Sequence, residues 1–404
     1  MILLKNTKCQ YFDTLCFYSL IYYKMVLQSN GEISLLDLQN EFGGSNPINL
    51  DEYYQNINNG YTNGVSGIPN NGNALSLNNF YGKNKIVSIK ENNVLVDPIN
   101  ITNNIYYYMF TSPSSNYTFT CTTNVSCDVF LIGGGGGGAH NFGGGGGSGA
   151  CIVRIGYTLS ANTYNIIVGA GGNPVSNGGD SRIDSLFVAK GGGGGNISDT
   201  SVKRNGFAGG CGGGGGYAAG TGGGTVSTNV VNGVSSGPAT TTTYAVLGRI
   251  GGNAALWGNN YANLDSGGGG GIGAQGGNAA SSIPGAGGNG IYQVTINGTV
   301  YNLKNYFSPN TSFGVNDGNN NFYIGGGGAA MGATGTSTGS TSARSGGLGG
   351  GGGASHQRTQ LAFVGGDGVS NTGSGGGGGG TWSPSRGGYG GSGIVIIRFT
   401  YPML

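Results

Sequence analysis

The chain has 404 residues, of which only 8% are charged, and its formal net charge is +2. No Lys/Arg cluster is present, so it lacks the electrostatic footprint that holds nucleic acid. The length allows two or three domains. Of 93 glycines, 85 lie between Gly133 and Gly393, and that stretch holds no Glu. Six cysteines, Cys9, Cys16, Cys121, Cys127, Cys151 and Cys211, fit no zinc spacing. Cys121 and Cys127, separated by TTNVS, could face each other across a short hairpin as a disulfide. The blander alternative is isolated buried thiols.

Residues 1–24 differ in composition from the rest. Their apolar part, Leu15 to Tyr23, is too short to span a bilayer and lacks a small-residue cleavage site. A weak signal is one reading. A non-structural extension ahead of Met25 is the preferred one. Within 25–83, Ser34 is a plausible N-cap and LLDLQNEF a short amphipathic helix ended by Gly43-Gly44. A second Ser-Leu opening follows at 71–83 (NGNALSLNNFYGK). The Asn-rich stretch 84–104 reads as a linker.

Alternation then begins. Strands are expected at 105–110, at Tyr117–Cys121 and at Val125–Ile132, with Thr111–Asn116 as a turn. Cys151–Leu159 and Tyr164–Val168 read as a hairpin, Ser185–Ala189 as a strand, and GIVIIRFTY at 393–401 as the last strand. Asn297-Gly298, between apolar runs, signals a hairpin within 291–307. Few other strands are expected inside the glycine region. The economical fold is mainly β: a jelly-roll-like β-sandwich from 105–132, 150–189 and 393–401, with the glycine-rich remainder inserted and a small α/irregular module ahead of it.

Contiguous glycine runs start at Gly133, Gly143, Gly191, Gly212, Gly267, Gly325, Gly349 and Gly375. Flexible linker is the bland reading. Collagen needs Gly every third residue and abundant Pro, and stacked β-fibrils need few glycines. Packed polyglycine II helices fit better. Such a helix makes no internal hydrogen bonds, so its N–H and C=O groups must be satisfied by neighbours, and every face must be glycine for neighbours to approach. Apolar strands lead directly into several runs, which holds their ends.

Two stretches resemble known families. The line GEISLLDLQNEFGGSNPINLDEYY, with the shorter line at 71–83, resembles the N-terminal module of phage tail and large DNA-virus particle proteins. Ala74-Leu75 departs from that pattern, which has Ile there. The lines DVFLIGGGGGGAHNFGGGGGSGACIV, TYNIIVGAGG, NGGDSRIDSLFVAKGGGGG and GGYGGSGIVIIRF resemble the glycine-rich domain of viral and phage surface proteins, where polyglycine packing is known. The resemblance implies a structural protein of the virion surface, a fibre, tail or capsid-decorating component. Residues 25–83 would attach it to other virion proteins, and the head would be displayed for a host glycan or protein. A homo-oligomer is possible on this reading. The alternative is a secreted or cell-surface adhesion or ligand-binding module of a cellular organism.

No constellation points to an enzyme, a cofactor or a metal. The G-x-G-x-x-G matches are by-products of polyglycine, and only His140 and His356 exist. Loops at the ends of a stack are where recognition is expected. The best anchors among them are Trp257, Tyr261 and Trp382, then Tyr244 and His356. The competing reading is that the two Trp cap apolar ends of the stack.

Overall fold

A computed structural model describes residues 35–42, 53–54, 68, 75, 86–102, 105–197, 204–216, 221–225, 228–256, 263–280, 283–311, 313–334, 344–354, 364–380 and 386–400. The described residues are mainly β, in antiparallel sheets. Helix α1 spans Leu35–Phe42 and buries Leu38 and Phe42, one turn apart on one face. Its expected cap, Ser34, and nearly all of 71–83 lie outside the described residues.

Within 84–104, read from sequence as a linker, the described residues 86–102 are mostly strand. They contain β1 (Val87–Glu91), β2 (Val94–Val96) and β3 (Ile99–Thr102). Asn92 and Asn93, at φ 50° and 68°, make a two-residue turn of the mirror-image kind that suits a hairpin. The Asn-rich composition that suggested coil is here turn chemistry. Strands β4 (Ile105–Phe110), β5 (Tyr117–Cys121) and β6 (Val125–Ile132) fall where the alternation places them.

Strands β7 (Cys151–Leu159) and β8 (Asn162–Ile167) form, but not as a hairpin. One edge of β7 is taken by β6, and the other by β14 (Tyr244–Leu247), so the chain crosses to the opposite sheet at 160–161. There β8 pairs with β5 and with β9 (Ser181–Ile183), which is followed by β10 (Phe187–Ala189). The glycine region also contributes strands that sequence reasoning missed: β11 (Asn229–Val231), β12 (Val234–Ser236), β13 (Ala239–Thr240) and β14. Strands β15 (Ala255–Leu256) and β16 (Asn263–Asp265) follow, then the Asn297-Gly298 hairpin of β17 (Gln293–Ile296) and β18 (Thr299–Asn302). Helix α2 (Leu303–Phe307), capped by the Asn302 side chain, leads to β19 (Val315–Asn316), β20 (Phe322–Tyr323) and β21 (Gly332–Thr334). The chain ends its described part in β22 (Ile394–Thr400).

Two large sheets result. One has the order β12-β11-β10-β9-β8-β5-β1-β2, the other β13-β14-β7-β6-β22-β4-β3. Their facing sides share one apolar core, including Phe110, Phe119, Val129, Phe187, Ile397 and Phe399, with Phe119 edge-on to Phe399 at 5.4 Å. The texts VFLI and IVII do not alternate because β6 and β22 are covered on both faces. Residues from 291–324 (Leu303, Phe307, Phe313 and Ile324) pack on the outer side, against Phe130, Ile132, Ile394 and Ile396. The hairpin that would have joined Cys121 to Cys127 is likewise not formed. Strands β5 and β6 belong to opposite sheets, and both cysteines are buried and in no disulfide.

Candidate functional site

The glycine runs form a stack with a three-residue repeat in its hydrogen bonds. In 133–139 the N–H groups of Gly133, Gly136 and Ala139 donate to Ala150, Gly147 and Gly144. Those of Gly134 and Gly137 donate to Gly179 and Ser176, and those of Gly135 and Gly138 to Gly391 and Gly388. The carbonyls repeat likewise, accepting from Gly192 and Gly195, from Gly172 and Val175, and from Gly376 and Gly379. One run is thus ringed by six others, with N···O distances of 2.8–3.1 Å. Runs 143–150, 211–216, 265–271, 325–331 and 373–380 are enclosed in the same way. This pairs backbone groups that burial would otherwise leave unsatisfied.

Close approach explains the residue type. A Cβ on Gly134, Gly135, Gly136, Gly137 or Gly138 would lie 2.0–2.3 Å from a carbonyl oxygen of a neighbouring run. On the perimeter the pattern changes to two glycines and one other residue. Arg386, Tyr389 and Ser392 face outward with glycines between them, and Ile283, Ala286 and Asn289 are exposed while Gly285 and Gly288 are buried. Contiguous glycine marks the interior of the stack, and every-third spacing marks its rim. The run at 349–353 is an exception, because Gly349 and Gly350, at φ 100° and 98°, form a turn.

At the rim, side-chain oxygens replace the missing neighbours. Asp180 Oδ1 accepts from Gly191 N–H at 3.1 Å, and Asn177 Oδ1 from Gly194 N–H at 2.9 Å. Asn253, Asn278, Asn289 and Asp367 serve Gly222, Asn253, Leu348 and Tyr389 in the same manner. Asp180 Oδ2 is held by Lys190 Nζ at 2.9 Å and Arg182 Nη2 at 2.8 Å. Burial opposes ionisation of Asp180, but the hydrogen bonds from Lys190 and the Gly191 N–H outweigh it and pull its pKa below the usual value.

The stack has one end at the sandwich and one remote from it. Strand β6 delivers the chain to Gly133 and β7 takes it up after Ala150, so the turn at 140–142 lies at the remote end. Asn141 and Phe142 donate to Gly380 and Gly379, Met331 donates to Gly143, and the Ser266 hydroxyl donates to the Phe142 carbonyl at 2.6 Å. Segments ending near 265, 331 and 380 therefore share that end. The described residues that flank 257–262, 335–343 and 381–385 lie at that end. The segment entering 355–363 belongs there too, since Ala354 bonds Arg344 and Gly352 bonds Ala329. Trp257, Tyr261, His356 and Trp382 lie outside the described residues.

Tyr244 does not join them. It lies in β14 opposite Arg154, half-buried against the sandwich core. Sequence reasoning placed it on a loop at the end of the stack and so missed the strand that holds it. A part-buried polar cluster of Asp128, Tyr306 and Arg398 joins α2 to the sheet. Asp128 Oδ2 accepts from Tyr306 OH at 2.7 Å and Arg398 Nη1 at 2.9 Å, and its Oδ1 from Gly156 N–H at 2.7 Å. The Arg398 guanidinium lies 4.4 Å from the Tyr306 ring centre, so the cluster locks α2 onto the sheet. Burial, and after it the bond to Asp128, raises the Tyr306 pKa well above its usual value. Among the described residues no group of His, Cys, Asp or Glu is placed to hold a metal ion, and no helix is long and apolar enough to cross a membrane.

A family described as a glycine-rich domain matches the chain over residues 111–400. The chain belongs to this glycine-rich domain family. No curated protein matches the chain. The glycine-rich domain extends, as a folded unit, upstream of the matched stretch: β1 pairs with β5 and β4 with β22, so 87–110 completes both sheets.

Proposed function

We propose that this chain is a structural protein of a virus-particle surface, a fibre, tail or capsid-decorating component. Its glycine-rich domain would be a rigid head of polyglycine II helices, framed by a jelly-roll-like sandwich and displayed for host attachment. The observation that carries the reading is the three-residue repeat by which each interior run bonds six neighbours. That is the bonding expected of side-by-side three-residue-per-turn helices. At roughly 3.1 Å per residue, five or six glycines make a layer of about 15–20 Å. Such a layer is stiff, carries almost no charge and ends away from the sandwich in the turns at 140–142 and 173–176, which suits presentation better than chemistry. The particle assignment leans on the resemblance of 25–83 to virion attachment modules, with other virion proteins as the partners of that region.

Proteomics of purified particles tests it. Detection in stoichiometric amount is expected, and absence from particles would sink the assignment in favour of a secreted or cell-surface module. Hydrogen exchange tests the helices. Slow exchange is expected at Gly134–Gly138 and Gly144–Gly147, and rapid exchange there would rule out a packed stack.

A further inference from the structure

Two bulky residues sit where this glycine-rich chain would most easily place glycine. Phe142 has φ 54° and Val175 φ 64°, left-handed conformations that disfavour aromatic and β-branched side chains. Asn141 and Phe142 make the turn between the first two runs. Val175 occupies the third position of a turn, Asn173–Ser176, closed by Ser176 N–H on the Asn173 carbonyl at 2.9 Å, with Pro174 before it. Both turns are over-determined. Phe142 is bonded through its N–H to Gly379 and through its carbonyl to Ser266, and Val175 N–H bonds the Gly138 carbonyl. They flank the remote end of the same run, since Gly379 also bonds Ala139. Neither side chain belongs to either apolar core, and both are partly buried, beside exposed His140 and Asn173.

We infer that His140–Phe142 and Asn173–Val175 form one platform that binds a neutral sugar. The inference rests on the attachment reading above and supplies it with a site and a ligand class. An aromatic ring and a valine offer a surface to the C–H face of a pyranose, and imidazole and carboxamide groups suit its hydroxyls. Five of these six residues have no ionisable side chain, and none is Asp, Glu, Lys or Arg, which favours an uncharged ligand. Two turns are too small for a protein partner, which needs about 800 Å² per side. Fixed turns lose little freedom on binding.

The test is a printed array of neutral and sialylated oligosaccharides probed with the full chain, alongside thermal unfolding. Wild type should bind a neutral sugar. Phe142→Gly and Val175→Gly should each weaken binding by about tenfold or more, with the melting temperature unchanged or raised. No neutral binder, preference for sialylated sugars, or unaltered binding by both variants would overturn the platform. So would a fall in melting temperature that parallels the loss, which would make the side chains packing groups. Binding lost in Trp257→Ala or Trp382→Ala but kept in both glycine variants would overturn the platform and leave the attachment reading standing.

Discussion

A methyl added at Gly146 would place its carbon 2.1 Å from the Gly136 carbonyl oxygen and 2.6 Å from its carbon. Both are backbone atoms held by neighbouring runs, so no rotamer can relieve the clash. Gly146→Ala should therefore destabilise by about 3 kcal/mol or more, through overpacking and broken inter-run bonds. Gly224 has nothing within 4 Å of the same added atom and lies on the rim. Gly224→Ala should be neutral or stabilise by about 0.4–1 kcal/mol, because it restricts the unfolded chain. Denaturant midpoints of the two variants decide whether interior and rim differ as the packing requires. Thiols offer a second check. Burial raises the Cys127 pKa well above the usual range, with Asp128 and Cys121 adding to it, and burial likewise raises Cys151. Cys211 is pushed up to about 11 by burial, against hydrogen bonds from Ser148 and the Arg249 N–H. At pH 8 a thiol reagent should leave Cys121, Cys127, Cys151 and Cys211 unlabelled in the native protein and label all four after denaturation. A Cys121–Cys127 linked peptide after denaturation without reductant would instead show a bridge between the sheets.

At the scale of elements, the rim caps are where charge enters stability. The folded pKa of Asp180 lies below its ordinary 3.8. Its contribution is therefore present above about pH 4 and is lost as pH falls through the lower folded value. Asp180→Asn keeps an oxygen for Gly191 but gives up the ion pairs to Lys190 and Arg182. It should cost about 1 kcal/mol at pH 7, and the difference from wild type should shrink to nothing in strong acid. Thermal unfolding of both proteins across pH 2–7 measures this; a gap that widens on acidification would contradict it. Such caps explain why part of the architecture was legible in sequence and part was not. Strands β4, β5 and β6 and the Asn297-Gly298 hairpin announce themselves, because alternation and turn chemistry are local properties. Which sheet β8 joins is not a local property, because the free edge of β7 is filled by β14, a partner about ninety residues further along the chain, with Tyr244 opposite Arg154. The short strands β11–β14 carry too few residues for alternation to show. Nor could a sequence reveal that Phe142 and Val175 hold positive φ, since neither residue type signals it.

For the whole molecule, what matters is where the folding unit begins. The glycine-rich domain family matches from residue 111, yet β4 runs down one side of β22 from Ile105 to Phe110 while β6 takes the other. Strand β1 does the same for β5, across from β8. Removing 86–110 would strip Tyr107 and Phe110, both fully buried, and leave β5 and β22 with unpaired edges. It would also loosen the stack, because the interior run 133–139 hangs from β6 and the last rim segment, 386–393, feeds β22. A glycine run has almost no side chains to bury, so the entropy of ordering it, about 1–2 kcal/mol per residue, is offset only while its ends are fixed and its neighbours present. A fragment of residues 111–404 should therefore fail to unfold cooperatively and should expose its glycine runs to rapid hydrogen exchange. A fragment of residues 86–404 should keep a single sharp transition and slow exchange at Gly134–Gly138. Cooperative unfolding of the shorter fragment would mean that the stack can frame itself, and the sandwich would then be an attachment to the glycine core rather than its support.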